Sequence, residues 1–454
     1  MGGLLRYGAA AVLVRMADAG AVVGLVLLAV DPARRASAGP AVGGFLAAAL
    51  TAPHLLGPWI AARLDRAEDG RALLAASYLL YAGALAAGSV AVGRAPVVVP
   101  IVAVVLAGSC GPLLTGGLSS RLAGIAGPDE RAQRRAQGLD ALTYGIGGTA
   151  GPAVVAGLSA SAGPLPALLA LSGASVLGAA LTLTLPVRVR GPARPSVVGV
   201  RAGLAPLVTS GPLRRVTTMT LLSAFGGGAM PLAAVALATG LVGRAGPGAT
   251  LIVADGLGSL AGSLAVTAFP LRGEPDRQAR WHFVAVAIGI AGCALAPTLA
   301  LALVGFALVG VASATAFTVT LAARSAYAPP SARAQVFVTS AGLKVAMASA
   351  GSALAGVGLG AGLGGRGLLL ASALVTAAGV LAAGVDRGLS RRANRSPGTT
   401  SCPGPEPRPP LAPGGPATGK AVRPPAPECT TPSGAVPRPE ERCRPRGAGP
   451  GRSR

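Results

Sequence analysis

The chain has 454 residues, of which 52% are hydrophobic and only 12% are charged. Soluble globular domains usually carry about a quarter of their residues as charges, so the composition excludes an ordinary soluble protein. The net charge of +23 would by itself be typical of a nucleic-acid-binding protein, and its meaning depends on where the basic residues lie.

Charged residues divide the first part of the chain into twelve apolar blocks. The blocks are 8–30, 40–62, 72–93, 97–118, 138–160, 165–186, 214–240, 249–270, 281–296, 299–322, 335–358 and 367–384. Most are close to the roughly 20 residues that a helix needs to cross a bilayer, and their continuous apolar runs differ from the alternation of a membrane β-barrel. The first block shows no cleavage region and contains charged residues, which favours a retained helix over a signal peptide. The sequence therefore predicts an all-α integral membrane protein of twelve helices.

Loop arginines indicate the orientation of these helices. If the N-terminus lies in the cytoplasm, nineteen loop arginines face the cytoplasm and five face the outside. Basic residues in short loops prefer the cytoplasmic side, so we expect both termini there, in a multi-pass protein of the cytoplasmic membrane. On this interpretation the positive charge sets the orientation and attracts membrane lipid, and nucleic acid is not an expected partner.

A polar, arginine-rich break divides the helices into two sets of six. The expected domains are an N-terminal bundle at 1–186, a basic cytoplasmic linker at 187–213, a C-terminal bundle at 214–384 and a cytoplasmic tail at 385–454. The tail is rich in Pro, Gly and Arg and has no apolar periodicity, which predicts disorder. Two parallel six-helix halves are one known way to build a transporter.

The loop after the second helix carries a charged motif, GPWIAARLDRAEDGR, at residues 57–71. It resembles the G-x-L-a-D-R-x-G-R-[RK] loop of the major facilitator superfamily. Asp65 and Arg66 match the central pair, and Gly70 and Arg71 match the later pair after two extra residues, whereas Ala61 replaces the first glycine. The resemblance implies a charge latch that helps to set the equilibrium between inward- and outward-facing states. The alternative is an ordinary charged turn.

The fifth helix carries a glycine-proline motif, GGTAGPAVVAG, at residues 147–157. Gly147, Gly151 and Pro152 are similar to the signature of antiporters in the same superfamily, although Val155 and Ala156 replace its terminal glycines. Glycines four residues apart let helices approach closely, so the motif favours either a sliding surface between the halves or plain small-residue packing. The resemblance covers residues 1 to about 385 and implies two six-helix bundles around a central cavity, with alternating access.

Ionisable residues inside the apolar blocks are candidates for substrate binding or proton coupling, because each is costly to bury in hydrocarbon. They are Arg15, Asp18, His54, Asp255 and Lys344. Arg15 and Asp18 are three residues apart, so they are expected to pair along one helix face. Asp140 is expected to cap the fifth helix. For Asp255 and Lys344, the alternative is a structural ion pair between helices.

The sequence shows no Walker-type loop and only two histidines, so we expect no enzyme activity, cofactor or metal. The predicted function is a secondary active transporter that moves a small molecule by alternating access, with proton-coupled efflux as the leading hypothesis. The expected partners are an unidentified small-molecule substrate, membrane lipid and protons. The alternatives are a non-transporting membrane scaffold or sensor built on a decayed carrier fold and, within carriers, a nutrient importer.

Overall fold

The computed structural model describes residues 2–32, 39–57, 70–119, 122, 125, 129–186, 200–269, 273–329 and 332–395. The first six membrane helices are α1 (Gly2–Ala29), α2 (Pro40–Thr51, continued by a 3-10 turn, Ala52–Leu56), α3 (Gly70–Ala91), α4 (Val98–Pro112, continued by a π turn, Leu113–Gly117), α5 (Glu130–Ser161) and α6 (Pro164–Leu183). The last six are α7 (Gly211–Gly228 and Met230–Val242), α8 (Pro247–Ala268), α9 (Pro275–Ala294), α10 (Leu299–Tyr327), α11 (Arg333–Gly360) and α12 (Gly365–Arg395).

These twelve helices correspond to the twelve predicted blocks. Within the described chain, eight helices are long and apolar enough to cross a membrane, and the two parts of α7, bent by 41°, make a ninth span if taken together. Helix α2 with its 3-10 turn is shorter but apolar. Helices α5 and α9 have 32 and 20 residues, but charged residues in their first turns reduce their hydropathy.

Two boundaries differ from the sequence-based expectation. A short helix, Val200–Thr209, lies inside the predicted linker, which we call the linker helix. Helix α12 continues to Arg395, into the predicted tail. The physical reason is visible at the end of α12, where Arg214 Nη2 of α7 lies 2.5 Å from the Asp386 carboxylate. Hydropathy assigns such charges to loops, whereas here ion pairs hold them on helices. The remainder of the predicted tail lies outside the described residues.

The helices pack as two six-helix bundles. In the first bundle, α1 lies against α2, α5 and α6, and α3 lies against α4 and α6. In the second, α10 lies against α8 and α9, while α12 packs on α7 and α9, and α7 packs on α11. The bundles meet mainly along two helix pairs, α2 with α11 and α5 with α8, and α1 also contacts the second part of α7.

The two ends of the molecule can be told apart by the helix termini they contain. The linker end is defined here as the end where α6 finishes and α7 starts. Helices α1 and α3 also begin there, because Arg6 Nη1 donates to the Thr184 carbonyl (3.3 Å) and Arg71 Nη1 donates to the Leu185 carbonyl (2.7 Å). At the opposite end, Arg366 of α12 donates to the carbonyl of Ala296, just beyond α9 (3.1 Å).

Two glycines of the glycine-proline motif bring α5 against α1. A Cβ atom added at Gly147 would lie 2.7 Å from Arg15 Cβ, and one added at Gly151 would lie 2.6 Å from the backbone nitrogen of Gly20. Both contacts are inside the first bundle, so these glycines pack α5 on α1 and do not form a sliding surface between the halves. Pro152 lies inside α5, one residue after Gly151.

We expect alanine at Gly151 to destabilise the protein and alanine at Gly148 to have little effect. The added methyl group at Gly151 meets α1 backbone, which cannot move aside as a side chain can, whereas one at Gly148 meets nothing within 4 Å. Overpacking of this kind typically costs about 1–3 kcal/mol. Thermal unfolding midpoints of the two purified variants in detergent compare the sites on one helix. Equal midpoints for Gly148→Ala and Gly151→Ala would contradict the α1–α5 contact.

Candidate functional site

Arg15 lies at the centre of a polar cluster formed by α1, α4 and α5. Its side chain is only 3% exposed, and its Nη2 lies 2.8 Å from the Asp140 carboxylate. The same nitrogen donates to Ser119 Oγ (2.8 Å) and to the Thr115 carbonyl (3.1 Å) near the end of α4. The guanidinium also stacks on the Tyr144 ring, 3.4 Å from its centroid. The aspartate neutralises the charge of this buried arginine, while its Nε has no hydrogen-bond partner.

These contacts correct two sequence-based expectations. Arg15 pairs with Asp140, 125 residues away, and not with Asp18, three residues along its own helix. Asp140 does not cap α5, because α5 begins at Glu130 and the Asp129 carboxylate accepts a hydrogen bond from the backbone nitrogen of Ala132 (2.8 Å). Asp140 instead lies inside the helix, where it also accepts a hydrogen bond from Tyr7 Oη (2.5 Å).

Asp18 lies one helical turn further along α1, on the side of the 3-10 turn that continues α2. Its carboxylate interacts electrostatically with His54 of that turn. His54 Nδ1 is 3.1 Å from the Thr51 carbonyl, and the imidazole lies against Gly111 of α4. The fold therefore places two of the predicted candidates, Asp18 and His54, in the same bundle.

Asp255 lies on α8, beside the contact between the two bundles. The next residue, Gly256, packs against α5, where an added Cβ would be 2.8 Å from Thr149 Oγ1. The Asp255 side chain is partly buried and makes no hydrogen bond or ion pair within the described part of the chain. It is therefore unlike Asp140, which an arginine and two hydroxyl groups hold in place.

Lys344 and Arg324 form a second group, on α11 and α10 of the second bundle. Lys344 Nζ lies 4.6 Å from the centroid of the Phe317 ring. Arg324 is 4% exposed in the last turn of α10, and its Nε has no hydrogen-bond partner. Phe317 and Arg324 are seven residues apart on α10, so the ring that Lys344 contacts and the guanidinium lie on the same face of that helix.

Arg324 was missed by sequence reasoning, which placed it in a loop because the tenth apolar block was ended at residue 322. Helix α10 continues to Tyr327, so the arginine lies inside the helix. The small and apolar residues that surround it, in the run AARSAY at 322–327, were the available signal.

A cluster of five charged residues joins α7, α9 and α12 at the linker end. It contains Arg214, Arg215, Asp276, Asp386 and Arg387, and we call it the linker-end ion cluster. Asp276, only 2% exposed, accepts two hydrogen bonds at Oδ2 from Arg215, from Nε (3.0 Å) and Nη2 (2.7 Å). Arg387 Nη2 lies 2.5 Å from the same oxygen, and Arg215 Nη1 reaches Asp386 (3.3 Å). Three helices are thereby connected by one network.

The predicted latch is only partly covered by the structure. Asp65 and Arg66 lie outside the described residues. Gly70 begins α3, and Arg71 Nη1 donates to the carbonyls of Leu185 (2.7 Å) and Leu183 (3.3 Å) at the end of α6. The latch therefore stays a prediction.

The contact between the bundles is made by small and hydroxylated residues. Thr51 and Ser349 share a hydrogen bond between their hydroxyl groups (2.7 Å), which connects α2 to α11. Nearer the opposite end, a Cβ at Gly44 would lie 2.6 Å from the Gly356 Cα. A cavity of about 210 Å³ between α7, α11 and α12 is lined mostly by apolar side chains and contains none of the candidate residues. In the described part of the chain, no group of three His, Cys, Asp or Glu is arranged to hold a metal ion.

Solved structures of membrane transporters share this arrangement of helices. A mutant of the nucleoside transporter NupG matches with a TM-score of 0.68 and 13% identity, over 84% of this chain and 99% of that chain. A POT family transporter in complex with 5-aminolevulinic acid matches with a TM-score of 0.63 and 12% identity, over 86% and 96% of the two chains. A bacterial homologue of the human lysosomal transporter Spinster, in an inward-facing and occupied conformation, matches with a TM-score of 0.61 and 15% identity, over 86% and 96%.

The sequence itself matches no protein-family model and no curated protein. At identities of 12–15% the likeness establishes the fold alone. The two six-helix bundles and these neighbours confirm the fold that the charged loop and the glycine-proline motif predicted. The chain is a multi-pass membrane protein with the fold of the major facilitator superfamily of transporters.

Proposed function

We propose that this protein is a secondary active transporter that moves a small molecule across the cytoplasmic membrane by alternating access. The fold supports the proposal, since its structural neighbours include a nucleoside transporter and POT family transporters. The contact between the bundles also supports it, because small residues such as Gly44 and Gly356 meet without interlocking side chains. Surfaces of this kind can separate and rejoin as rigid bodies.

Proton-coupled export is the mode that we propose for this carrier. The observation that carries it is Asp255, a membrane-embedded carboxylate with no hydrogen bond or ion pair in the described part of the chain, next to the α5–α8 contact. No partner holds this group in one protonation state, so it is free to gain and lose a proton as the bundles move. Intramembrane carboxylates of this kind are typical of proton pathways.

Asp18 and His54 are the second candidate for proton coupling. Both are ionisable side chains inside the predicted membrane spans, and histidine commonly serves as a proton shuttle. The pair lies in the first bundle and Asp255 in the second. Substituting each carboxylate separately therefore distinguishes the two candidates.

We expect Asp255→Asn to abolish the response of transport to a pH gradient. The test uses the full chain in proteoliposomes, a gradient of one pH unit, and uridine, dialanine and a panel of other small molecules as probes. Coupling to one proton permits about tenfold accumulation of the substrate in that gradient. In the variant, substrate accumulation should fall to about onefold, while substrate exchange without a gradient continues. Asp18→Asn is compared directly, and Glu274→Gln is the control because Glu274 is exposed.

The outcomes separate the competing functions. If both Asp255→Asn and Asp18→Asn respond to the gradient as the native protein does, proton coupling is wrong. The direction of the effective gradient distinguishes an exporter from a nutrient importer. If the native chain moves no compound under any gradient, the result favours a membrane scaffold or sensor.

A further inference from the structure

Two cationic side chains in the second bundle lack any counter-charge in the described part of the chain. Arg324 is 4% exposed with an unpartnered Nε, and the Lys344 ammonium lies over the Phe317 ring, 4.6 Å from its centroid. We infer that Arg324 and Lys344 form an oxyanion-binding site for the carboxylate or phosphate group of the transported small molecule. The inference rests on the proposed transport function.

The distribution of acidic residues in the second bundle supports this inference. Its described helices contain three acidic residues, Asp255, Asp276 and Asp386. The last two are taken up by the three arginines of the linker-end ion cluster. Asp255 forms no ion pair with either cation. Arg324 on α10 and Lys344 on α11 are therefore positive charges without a counter-charge in the part of the chain that the structure describes.

A buried cation without a partner is strongly disfavoured in a membrane protein, so such residues normally face a cavity or bind an anion. Arg324 lies seven residues after Phe317, whose ring the Lys344 ammonium contacts, so both cations lie along the same face of α10. Their like charges add to this cost unless an anion lies between them. An anion that joins the two would relieve both the desolvation and the repulsion. The arrangement is therefore that of a binding site and not of a structural ion pair.

The chemistry of the three side chains indicates the class of ligand. The guanidinium of Arg324 matches the planar geometry of a carboxylate or phosphate, and the ammonium of Lys344 adds a point charge. Phe317 is 44% exposed, so its ring offers a surface for the organic part of the ligand. We expect a small organic anion with an aromatic or apolar group attached to the oxyanion.

Ligand-induced stabilisation of the purified full-length protein tests the site. The probes are phenyl phosphate and benzoate, with benzyl alcohol as the neutral comparison, and the readout is the thermal unfolding midpoint in neutral detergent. Both anions should raise the midpoint of the native protein. Arg324→Gln and Lys344→Gln should weaken binding by about 10- to 100-fold, the loss expected for one hydrogen bond to a charged group. Arg366→Gln is the matched control, because Arg366 lies at the opposite end.

Unfolding without any anion provides an independent test, which holds even if the probes are poor ligands. If the chain offers no counter-charge, removing a buried cation should raise the midpoint, so Arg324→Gln and Lys344→Gln should be more stable than the native protein. A lower midpoint in both variants would mean that a carboxylate of the chain pairs with these cations, which would overturn the proposal. Equal stabilisation of native and variant proteins by phenyl phosphate would also overturn it.

A lipid headgroup presents the same oxyanion as a small-molecule substrate. Adding phosphatidic acid to the detergent distinguishes a lipid ligand from a transported one. If phosphatidic acid stabilises the native protein through Arg324 and Lys344 while phenyl phosphate and benzoate do not, the site belongs to lipid and the substrate assignment is wrong. The proposed function can fail separately. If proteoliposomes transport no compound but phenyl phosphate binding depends on both cations, the chain has the anion site without being a carrier.

Discussion

Replacing Asp276 with asparagine is expected to lower the free energy of unfolding by about 3–5 kcal/mol, the usual cost of removing one partner from a buried ion pair. Asp276 is 2% exposed, and a single oxygen, Oδ2, receives Arg215 and Arg387 from two other helices. Asparagine keeps the shape but removes the charge, so two arginines lose their main counter-ion at once. The loss should loosen the packing of α7, α9 and α12 at the linker end.

Chemical unfolding of the purified protein in mixed micelles measures this effect. Glu274→Gln is the matched control, because Glu274 lies two residues before Asp276 but is exposed and should change the unfolding free energy very little. Adding Arg387→Gln to the Asp276→Asn variant should recover part of the loss, since it removes one of the two unpaired cations. If Asp276→Asn and Glu274→Gln unfold alike, the linker-end ion cluster does not stabilise the fold.

Alanine at Gly44 is expected to open the opposite end of the transporter and to slow transport. The added Cβ would lie 2.6 Å from the Gly356 Cα and 2.7 Å from the Ser352 carbonyl of α11, so α2 and α11 could no longer meet. The clash should destabilise the state in which this end is closed by about 1–3 kcal/mol. That cost shifts the equilibrium toward the open state by about 5- to 150-fold. The fold should be preserved, because the clash arises only when the bundles close.

The substitution Ser352→Cys, made in a variant without the five native cysteines, reports this opening. The measurement is the rate at which a membrane-impermeant maleimide labels the new cysteine. Ser352 is 4% exposed, so labelling should be slow with Gly44 and faster with Gly44→Ala. Gly360→Ala is the control, because its Cβ would lie 3.5 Å from Ala41 Cβ, an ordinary contact in the same helix pair. Equal labelling of the two alanine variants would show that the Gly44–Gly356 approach does not control this end.

The candidate site combines residues with different degrees of neutralisation, and this difference separates structural from functional roles. Arg15 has an aspartate, two hydroxyl groups and an aromatic ring around it, so its charge is paired within the first bundle although its Nε has no hydrogen-bond partner. Asp255, Lys344 and Arg324 have much less around them. Binding of a proton or a charged substrate is most favourable at a group whose charge has no counter-charge in the protein.

The positions and approximate bounds of the apolar helices followed from the sequence alone. A bilayer has nearly constant thickness, so an apolar run of sufficient length predicts a helix without knowledge of any other part of the chain. The same local character explains why Asp65, Arg66, Gly147 and Gly151 could indicate the fold: each motif lies within fifteen consecutive residues of sequence.

The partners of the charged residues were decided only by the tertiary structure. Arg15 appeared to belong with Asp18, three residues away, yet it pairs with Asp140, which another helix brings closer. Arg324 was assigned to a loop because charge ends an apolar block, whereas α10 carries it inside the helix, on the face where Phe317 contacts Lys344. Local hydropathy determines which segments enter the membrane. Which charges are neutralised there, and which remain available, depends on distances between helices that are far apart in sequence.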